Sequence, residues 1–206
     1  EDGEVLVRGP LLMQGYWNRQ QETAEALVNG WLHTGDLGHL DSQGYLHITG
    51  RKKDILVVSG GDNVAPQRIE GLLTLEPEIG QAMVVGDNRP HLAALLVPSE
   101  DWARAWARHV GHDDNLDTLV EEPDFRAAVE KAVSRVNAKL SSVEKIRRFA
   151  LLREPFSVEN GTLTPTLKIR RHVIAEAYAE TINNLYSDST GRRGDARTAE
   201  ARQLNP

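Results

Sequence analysis

The stretch TGRKKDILVVSGGDNVAP, residues 49–66, joins three kinds of local signal. A basic turn, Arg51 to Lys53, leads into the apolar run Ile55 to Val58, and a Ser-Gly-Gly break follows before Pro66, which favours a helix start. Glycines between a strand and a helix permit positive φ angles and the close approach of a ligand. Adjacent cations are costly in a core and useful beside a phosphate. On spacing alone, however, an ordinary basic turn followed by a loop explains the stretch better.

Three further segments accompany this stretch in a fixed order. GWLHTGD lies at residues 30–36, GYLHITG at residues 44–50 and NGTLTPTLKIRR at residues 160–171. Residues 49–66 resemble the hinge motif of the acyl-adenylate-forming enzymes, the superfamily of acyl-CoA synthetases, luciferases and peptide-synthetase adenylation domains. GWLHTGD resembles the ribose-binding motif of these enzymes, GYLHITG leads from it into the hinge, and NGTLTPTLKIRR resembles the motif that carries the catalytic lysine. One position departs from the pattern, because the family often has glycine before the lysine and this chain has Leu167. The form TPTLK resembles the long-chain fatty acyl-CoA synthetase branch.

The resemblance implies an α+β fold in two parts. Residues 1–50 would be the β-rich C-terminal edge of an adenylate-forming N-terminal domain. Residues 51–187 would be a small mobile C-terminal domain in which helices pack β-hairpins. The polar segment 188–206 predicts a disordered tail. The chain has no initiating Met and neither GxxxxGK[ST] nor GxGxxG, so we expect a fragment that is inactive alone.

Three residues carry the nucleotide chemistry that the resemblance implies. Asp36 would accept hydrogen bonds from the ribose hydroxyls, since charged acceptors make the stronger bonds, and Arg51 would contact the ribose or phosphate. Lys168 would be the catalytic lysine, because negative charge grows on the phosphate and carboxylate as pyrophosphate leaves, and an ammonium is a compact countercharge. Without the motifs, Asp36 is an ordinary turn residue and Lys168 a solvated lysine.

The other implied site residues serve domain rotation and the thioester step. Lys53 would be the hinge about which the small domain turns. Arg170 and Arg171 are weaker candidates for binding the phosphates of CoA. The segment that would line the pantetheine channel, called the glycine loop below, consists of Ser59, Gly60, Gly61, Asp62 and Asn63.

The implied reaction is that of an ATP-dependent fatty acid–CoA ligase acting on long-chain acids. The carboxylate would attack the α-phosphate of ATP, with Mg²⁺ bound mainly by the N-terminal domain, and CoA would then displace AMP. The implied partners are these small molecules and the chain's own N-terminal domain. Two alternatives stay open: an adenylation domain that loads a carrier protein, and a non-catalytic α+β binding module. The motifs do not specify the acyl chain length.

Composition narrows the remaining classes of function. Lys+Arg 24 against Asp+Glu 30 gives a net charge of −6, which argues against a nucleic-acid or anionic membrane surface. There are no cysteines for disulfides or thiolate metal sites. His33, His39 and His47 lack the spacing of metal ligands, so no metal site is expected. No apolar run reaches the roughly 18 residues of a transmembrane helix. We therefore expect a cytoplasmic protein, with peripheral contact to a membrane as an open alternative.

The hydrophobic pattern predicts secondary structure along the chain. Asn18 should cap a short helix that Asn29-Gly30 ends. Residues 31–33, 36–40 and 45–49 should be separate strands, and residues 79–86 and 92–97 should form a hairpin.

The second half of the pattern predicts helices and one more hairpin. Helices should begin at Ser99 and Pro123, with Trp102 and Trp106 of the first anchoring the core. Asn160-Gly161 should turn a second tight hairpin. A single last helix should follow, with its apolar face formed by Ile174, Tyr178, Ile182 and Leu185.

Overall fold

The strands form three sheets within residues 3–187, the part of the chain that the computed structural model describes. The predicted tail lies outside the described residues. The strands are β1 (Glu4–Val7), β2 (Leu27–Val28), β3 (Trp31–Leu40), β4 (Leu46–Arg51), β5 (Leu56–Val57), β6 (Asn63–Val64), β7 (Ile79–Val85), β8 (Leu92–Pro98) and β9 (Ile146–Leu151). The helices are α1 (Gln20–Ala26), α2 (Pro66–Thr74), α3 (Glu100–Val110), α4 (Leu116–Leu119), α5 (Pro123–Asn137), α6 (Arg171–Ala177) and α7 (Ala179–Ser187), with a 3-10 turn at Lys52–Asp54. The α+β class is thus confirmed.

The first sheet is built around β3, which pairs antiparallel with β1, β2 and β4. The prediction of two strands, residues 31–33 and 36–40, separated by a break at Thr34-Gly35 is wrong. The strand continues through these residues because the Thr34 hydroxyl donates to the Val5 carbonyl of β1 at 2.7 Å and the Gly35 amide donates to the Glu4 carboxylate at 3.0 Å.

The dipeptide Asn29-Gly30 turns a hairpin between β2 and β3 instead of ending a helix. Val28 and Trp31 are register partners on either side of it. Asn29 and Gly30 have φ angles of 52° and 80°, the left-handed pair that a two-residue hairpin turn requires. Asn18, the predicted helix cap, also has a positive φ, and the cap position of α1 is taken by Arg19, which makes no side-chain capping bond. Both local predictions are therefore corrected.

The main sheet has the order β7-β8-β9, with β8 in the centre. β7 and β8 form the predicted antiparallel hairpin, whereas β8 and β9 run parallel. Every residue of β8 is buried. Leu92, Ala94 and Leu96 belong to a cluster with α2, α3 and α5, and the alternate residues of β8 belong to a second cluster with α6 and α7. Helices thus cover both faces of this sheet.

Helix α3 carries two tryptophans into the first cluster, as predicted. The Ser99 hydroxyl caps α3 by accepting from the Trp102 amide. The rings of Trp102 and Trp106 lie 5.1 and 5.2 Å from the ring of Phe125 in α5. Such aromatic pairs stabilise a core beyond the area they bury.

The second cluster departs from the sequence prediction at Asn160-Gly161, which does not form a hairpin. The Asn160 side chain accepts hydrogen bonds from the amides of Ser157 and Thr162, closing a local polar turn that leaves no flanking strands to pair. The predicted single last helix is also wrong, because it breaks at Tyr178 (φ −109°, ψ 24°) into α6 and α7. Of the helices between residues 3 and 187, none has the length and apolar character needed to cross a bilayer.

Two glycines at helices of the first cluster give opposite stability predictions. Gly111 ends α3 at φ 75°, so Gly111→Ala should lower the free energy of unfolding by about 1 kcal/mol through backbone strain alone. Gly71 lies inside α2 with open space around it, so Gly71→Ala should raise the free energy of unfolding by about 0.5–1 kcal/mol. Urea unfolding followed by tryptophan fluorescence measures both. A neutral or stabilising Gly111→Ala would contradict the left-handed cap.

Candidate functional site

Asp36 and Arg51 face each other across β3 and β4. They are register partners, and Nε of Arg51 donates to Oδ1 of Asp36 at 2.7 Å. The side chains of Asp36 and Arg51 are 35% and 56% exposed. An ion pair that is this exposed to solvent contributes only about 0–1 kcal/mol to stability. Oδ2 of Asp36 has no hydrogen-bond partner among residues 3–187. The pair therefore stabilises the fold little and leaves a carboxylate oxygen available to a ligand hydroxyl.

A nearly buried carboxylate supports this pair from β1. Glu4 has a side chain only 9% exposed, and it accepts from the ammonium of Lys52 at 3.1 Å and lies 3.4 Å from Nδ1 of His33. The hydrogen bond from Lys52, with help from the Gly35 amide, lowers the pKa of Glu4 although burial opposes the shift. Glu4 thus fixes the basic turn beside Arg51. Sequence reasoning missed it, and its only signal was a carboxylate in the first strand.

Lys53 lies in the 3-10 turn between β4 and β5, with its side chain exposed. Its ammonium makes no ion pair within the described range, in contrast to its neighbours. Asp54 accepts from the Gln67 amide group at 2.6 Å, and Gly50 lies so close to the start of α2 that a Cβ there would be 3.0 Å from the Cβ of Ala65. The predicted hinge is therefore a residue with a free side chain between two anchored segments.

The glycine loop closes a small hairpin between β5 and β6, where the sequence predicted only a break before a helix. The Gly61 amide donates to the Val58 carbonyl at 2.7 Å, and Gly61 has a φ of 86°. The loop is held from one side by the β7–β8 turn, because the Ser59 amide donates to the Arg89 carbonyl at 2.9 Å. All five of its residues are exposed. The loop thus presents backbone and small side chains to solvent on a fixed base.

Lys168 lies on a tight loop, called the lysine loop below, which comprises residues 163–169 and is closed by an antiparallel bridge between Leu163 and Ile169. The Lys168 amide donates to the Thr164 hydroxyl at 3.0 Å, and the Thr164 amide donates to the Lys168 carbonyl at 2.8 Å. The ammonium of Lys168 has no hydrogen-bond or ion-pair partner in the described part of the chain. Its backbone is therefore fixed while its charge is available.

Leu167 explains why the family often has glycine before this lysine. Leu167 has a φ of 59°, so the turn requires a residue in the left-handed conformation. The Leu167 side chain is mostly exposed and therefore buries little apolar surface. Lys168 lies outside α6, which begins at Arg171.

The structure joins only some of the predicted site residues directly. Asp36 contacts Arg51, but no hydrogen bond among residues 3–187 links either of them to Lys168 or to the glycine loop. Arg170 donates to the Gly161 carbonyl at 2.9 Å, and Arg171 pairs with Glu70 at 2.5 Å. Arg171 is thus held internally, whereas Arg170 stays exposed with one internal side-chain hydrogen bond, and their role in binding CoA phosphates stays a prediction.

Two histidines of the first sheet, His39 and His47, contact each other. His39 and His47 stack with ring centroids 5.4 Å apart, and Nε2 of His47 lies 2.9 Å from the Asp41 carboxylate. That hydrogen bond lowers the pKa of Asp41. Residues 3–187 contain no group of three or more potential ligands that could hold a metal ion.

Comparison with known proteins places this geometry in a family. A profile described as the AMP-binding enzyme C-terminal domain matches residues 53–190. The chain therefore belongs to the AMP-binding enzymes, whose C-terminal domain it contains.

Relatives of this chain include fatty-acid–CoA ligases. Over 191 residues the chain is 42% identical to the long-chain-fatty-acid–CoA ligase FadD15 of Mycobacterium tuberculosis, a match that covers 91% of this chain and 32% of the relative. It is 37% identical over 190 residues to long-chain-fatty-acid–CoA ligase 1 of Cavia porcellus, covering 90% of this chain and 27% of that protein. The chain thus spans about a third of the length of the curated relatives it matches.

Solved adenylation domains share the fold. The adenylation domain of a carboxylate reductase from Mycobacterium chelonae superposes with a TM-score of 0.76 at 28% identity, covering 90% of this chain and 28% of that one. The adenylation domain of a carboxylic acid reductase from Segniliparus rugosus, in complex with AMP and a co-purified carboxylic acid, gives a TM-score of 0.76 at 26% identity, covering 91% and 28% of the two chains.

The two threonines of the lysine loop provide a matched prediction about its order. Thr164→Ala removes the acceptor of the Lys168 amide, so exchange of that amide with solvent should accelerate by about five-fold or more, the equivalent of about 1 kcal/mol. Among residues 3–187 the Thr166 hydroxyl hydrogen-bonds only to the Thr164 hydroxyl, at 3.0 Å, so Thr166→Ala should change the rate by less than about two-fold. Hydrogen exchange resolved at Lys168 measures both. Equal rates in the two variants would show that the Thr164 hydroxyl does not fix the loop.

Proposed function

We propose that this chain supplies the C-terminal part of an AMP-forming long-chain fatty acid–CoA ligase, with ATP, a fatty acid and CoA as substrates. The observation that carries the proposal is the lysine loop, which holds the Lys168 backbone by two hydrogen bonds and leaves its ammonium without a partner among residues 3–187. Preorganised charge of this kind is what stabilises a transition state without further ordering. The fatty-acid–CoA ligases among the relatives support the substrate class.

In the proposed first step, a fatty acid carboxylate oxygen attacks the α-phosphorus of ATP. A bond forms between the carboxylate oxygen and the α-phosphorus as the bond from that phosphorus to the pyrophosphate oxygen breaks. Pyrophosphate leaves with the electron pair. Lys168 would offset the charge that grows on the α-phosphate and the attacking oxygen. Asp36 would accept hydrogen bonds from the ribose hydroxyls through Oδ2. Arg51, which is held by Oδ1 of Asp36, would lie beside the ribose or phosphate.

Mg²⁺ enters the proposal only as a countercharge of the polyphosphate. Hard cations of this size need several oxygen ligands, and no suitable group of side chains exists within residues 3–187. We therefore assign its binding to the N-terminal part of the whole enzyme and to ATP itself.

In the proposed second step, the sulfur of CoA attacks the acyl carbon, and a carbon–sulfur bond forms as the carbon–oxygen bond to AMP breaks. AMP leaves with the electron pair, and the thiol proton is released to solvent. The glycine loop would line the pantetheine channel, because its exposed backbone lets a narrow chain approach closely. The glycine loop rests on the β7–β8 turn, and the lysine loop rests on the second cluster. Rotation of the small domain about Lys53 would bring the lysine loop to the substrates in the first step and the glycine loop in the second.

The partner that we propose for this chain is its own N-terminal domain, in a cytoplasmic enzyme. Large apolar side chains of the first sheet region are open to solvent, including Leu11 at 97%, Trp17 at 90% and Tyr45 at 67% exposure. Apolar surface concentrated in one region indicates a contact with another protein surface. A carrier protein in place of CoA is the second candidate acceptor, and thioester formation on free CoA distinguishes the two.

The first functional prediction concerns Lys168 in a hybrid ligase, defined as this chain joined to the N-terminal part of FadD15. Lys168→Ala should slow acyl-adenylate formation by at least about a hundred-fold, or roughly 3 kcal/mol, because a preorganised charge is lost. Transfer from supplied acyl-adenylate to CoA should change less than about three-fold, since Lys168 is then remote. Pyrophosphate exchange and thioester formation measure the two steps, with Lys131→Ala on exposed α5 surface as the control. Equal loss of both steps in a folded variant would contradict the assignment.

The second functional prediction concerns the hinge in the same hybrid. Lys53→Pro fixes φ near −65° and should trap one domain orientation, so one step should fall far more than the other. Lys53→Ala removes only a side chain without partners in the described range and should spare both steps. Comparable losses of the two steps in the proline variant, with native circular dichroism, would rule out rotation about this residue.

A further inference from the structure

Arg171 and Glu70 form a largely buried ion pair beside the lysine loop. The side chains are 20% and 9% exposed, and Nη2 of Arg171 lies 2.5 Å from Oε2 of Glu70. The pair also binds both backbone groups of Val84 in β7: the Val84 amide donates to Glu70 at 2.7 Å, and Arg171 donates to the Val84 carbonyl at 3.3 Å. The first residue of α6 is thus fixed to α2 and to the main sheet at once.

The same guanidinium faces the hinge turn. Its Nε lies 3.9 Å from Oδ2 of Asp54, the residue that follows Lys53, and Asp54 also accepts from Gln67 of α2. This contact is longer than a hydrogen bond. The Asp54 contact can therefore break when the turn changes conformation, while the Glu70 pair persists.

The chain between Arg171 and Lys168 is short and internally tied. Ile169 closes the lysine loop by its bridge to Leu163, and the Arg170 amide donates to the Thr162 carbonyl at 2.9 Å. A displacement of Arg171 therefore moves the base of the loop, since no flexible segment separates the two. An isolated buried charge is expensive, so the pair holds its geometry strongly even where its net contribution to stability is small.

We propose that Arg171 is a positioning residue for Lys168, an inference that rests on the proposed function of that lysine. Glu70 and Val84 hold the guanidinium on α2 and β7, and the guanidinium in turn holds the end of the lysine loop. The longer contact to Asp54 is the part of this arrangement that a change of conformation at Lys53 would break, while Glu70 and Val84 would keep the lysine loop in place. Arg171 acts through Lys168 and does not itself contact the reacting atoms.

The test compares Arg171→Lys with Arg135→Lys in the hybrid ligase. Arg135 joins α5 to Glu76 and Glu78 at 2.7 and 2.8 Å, a second arginine–carboxylate cluster that does not contact the lysine loop. Lysine keeps the charge in both variants and loses the forked geometry. Arg171→Lys should lower kcat for acyl-adenylate formation by about ten- to a hundred-fold, because small misplacements of a catalytic group cost that much. KM for ATP and the thioester step should change by less than about two-fold.

A double variant guards against loss of folding. Glu70→Gln with Arg171→Met removes both charges together, which avoids an unpaired buried ion. It should fold and still show the kcat loss in the first step, and the Lys168 amide should exchange faster in the isolated chain. Wild-type kcat in either folded Arg171 variant overturns the proposal, as does an equal loss of the two steps or a matching loss in Arg135→Lys.

The outcome of the wild-type hybrid separates this inference from the proposed function. A hybrid that forms no acyl-adenylate, or in which Lys168→Ala has no effect, counts against the proposed function. Lys168 amide exchange in the isolated chain then still decides the positioning role: faster exchange in Arg171→Lys than in Arg135→Lys supports it, and equal exchange overturns it.

Discussion

The burial of β8 on both faces is the constraint on which the other elements depend. Leu92 to Leu96 have no exposed surface, and each side of the strand contributes to a separate apolar cluster. A strand buried in this way needs backbone partners along both edges, which β7 and β9 provide, and helices over both faces. The two loops of the candidate site are attached to this assembly from different sides. The glycine loop is hydrogen-bonded to the turn between β7 and β8, and the lysine loop packs on the second cluster.

Buried polar groups then connect the assembly to the site. Among residues 3–187, the buried side chains that are polar or charged are Glu70, Glu76 and Thr162, and all three are hydrogen-bonded. Glu70 binds the arginine that begins α6, and Thr162 orders the turn before the lysine loop. Because an unpaired buried polar group is costly, each of these contacts restricts the backbone to one arrangement. The exposed ion pair of Asp36 and Arg51 is different in kind, since solvent weakens it and a ligand can share it.

The sequence predicts the elements that depend on hydrophobic period and misplaces those that depend on local polar bonding. The continuous apolar runs of β7 and β8 and the tryptophan spacing of α3 were sufficient to predict a hairpin and a core helix. Both Asn-Gly pairs were assigned wrongly, because Asn29-Gly30 lies between strands that pair while Asn160 bonds to its own neighbours in a local turn. Local sequence does not reveal whether a partner strand is available. Likewise Glu4 and Glu70 contact residues far away in the sequence, so no short motif could identify them as parts of the site. Arg171 lies in the lysine motif, but the motif does not reveal its pairing with Glu70.

The parallel pairing of β8 with β9 has a consequence for how the chain folds. Antiparallel neighbours can meet through a short turn, but a parallel partner must return across the whole sheet, here through α3, α4 and α5. The entropy of closing that long connection has to be overcome before the contacts of β9 can compensate for it. During synthesis, everything after β9, including the lysine loop, therefore acquires its final surroundings only when the crossover helices have docked. Until then the lysine loop can form its own hydrogen bonds between Thr164 and Lys168 but lacks the packed second cluster on which it rests.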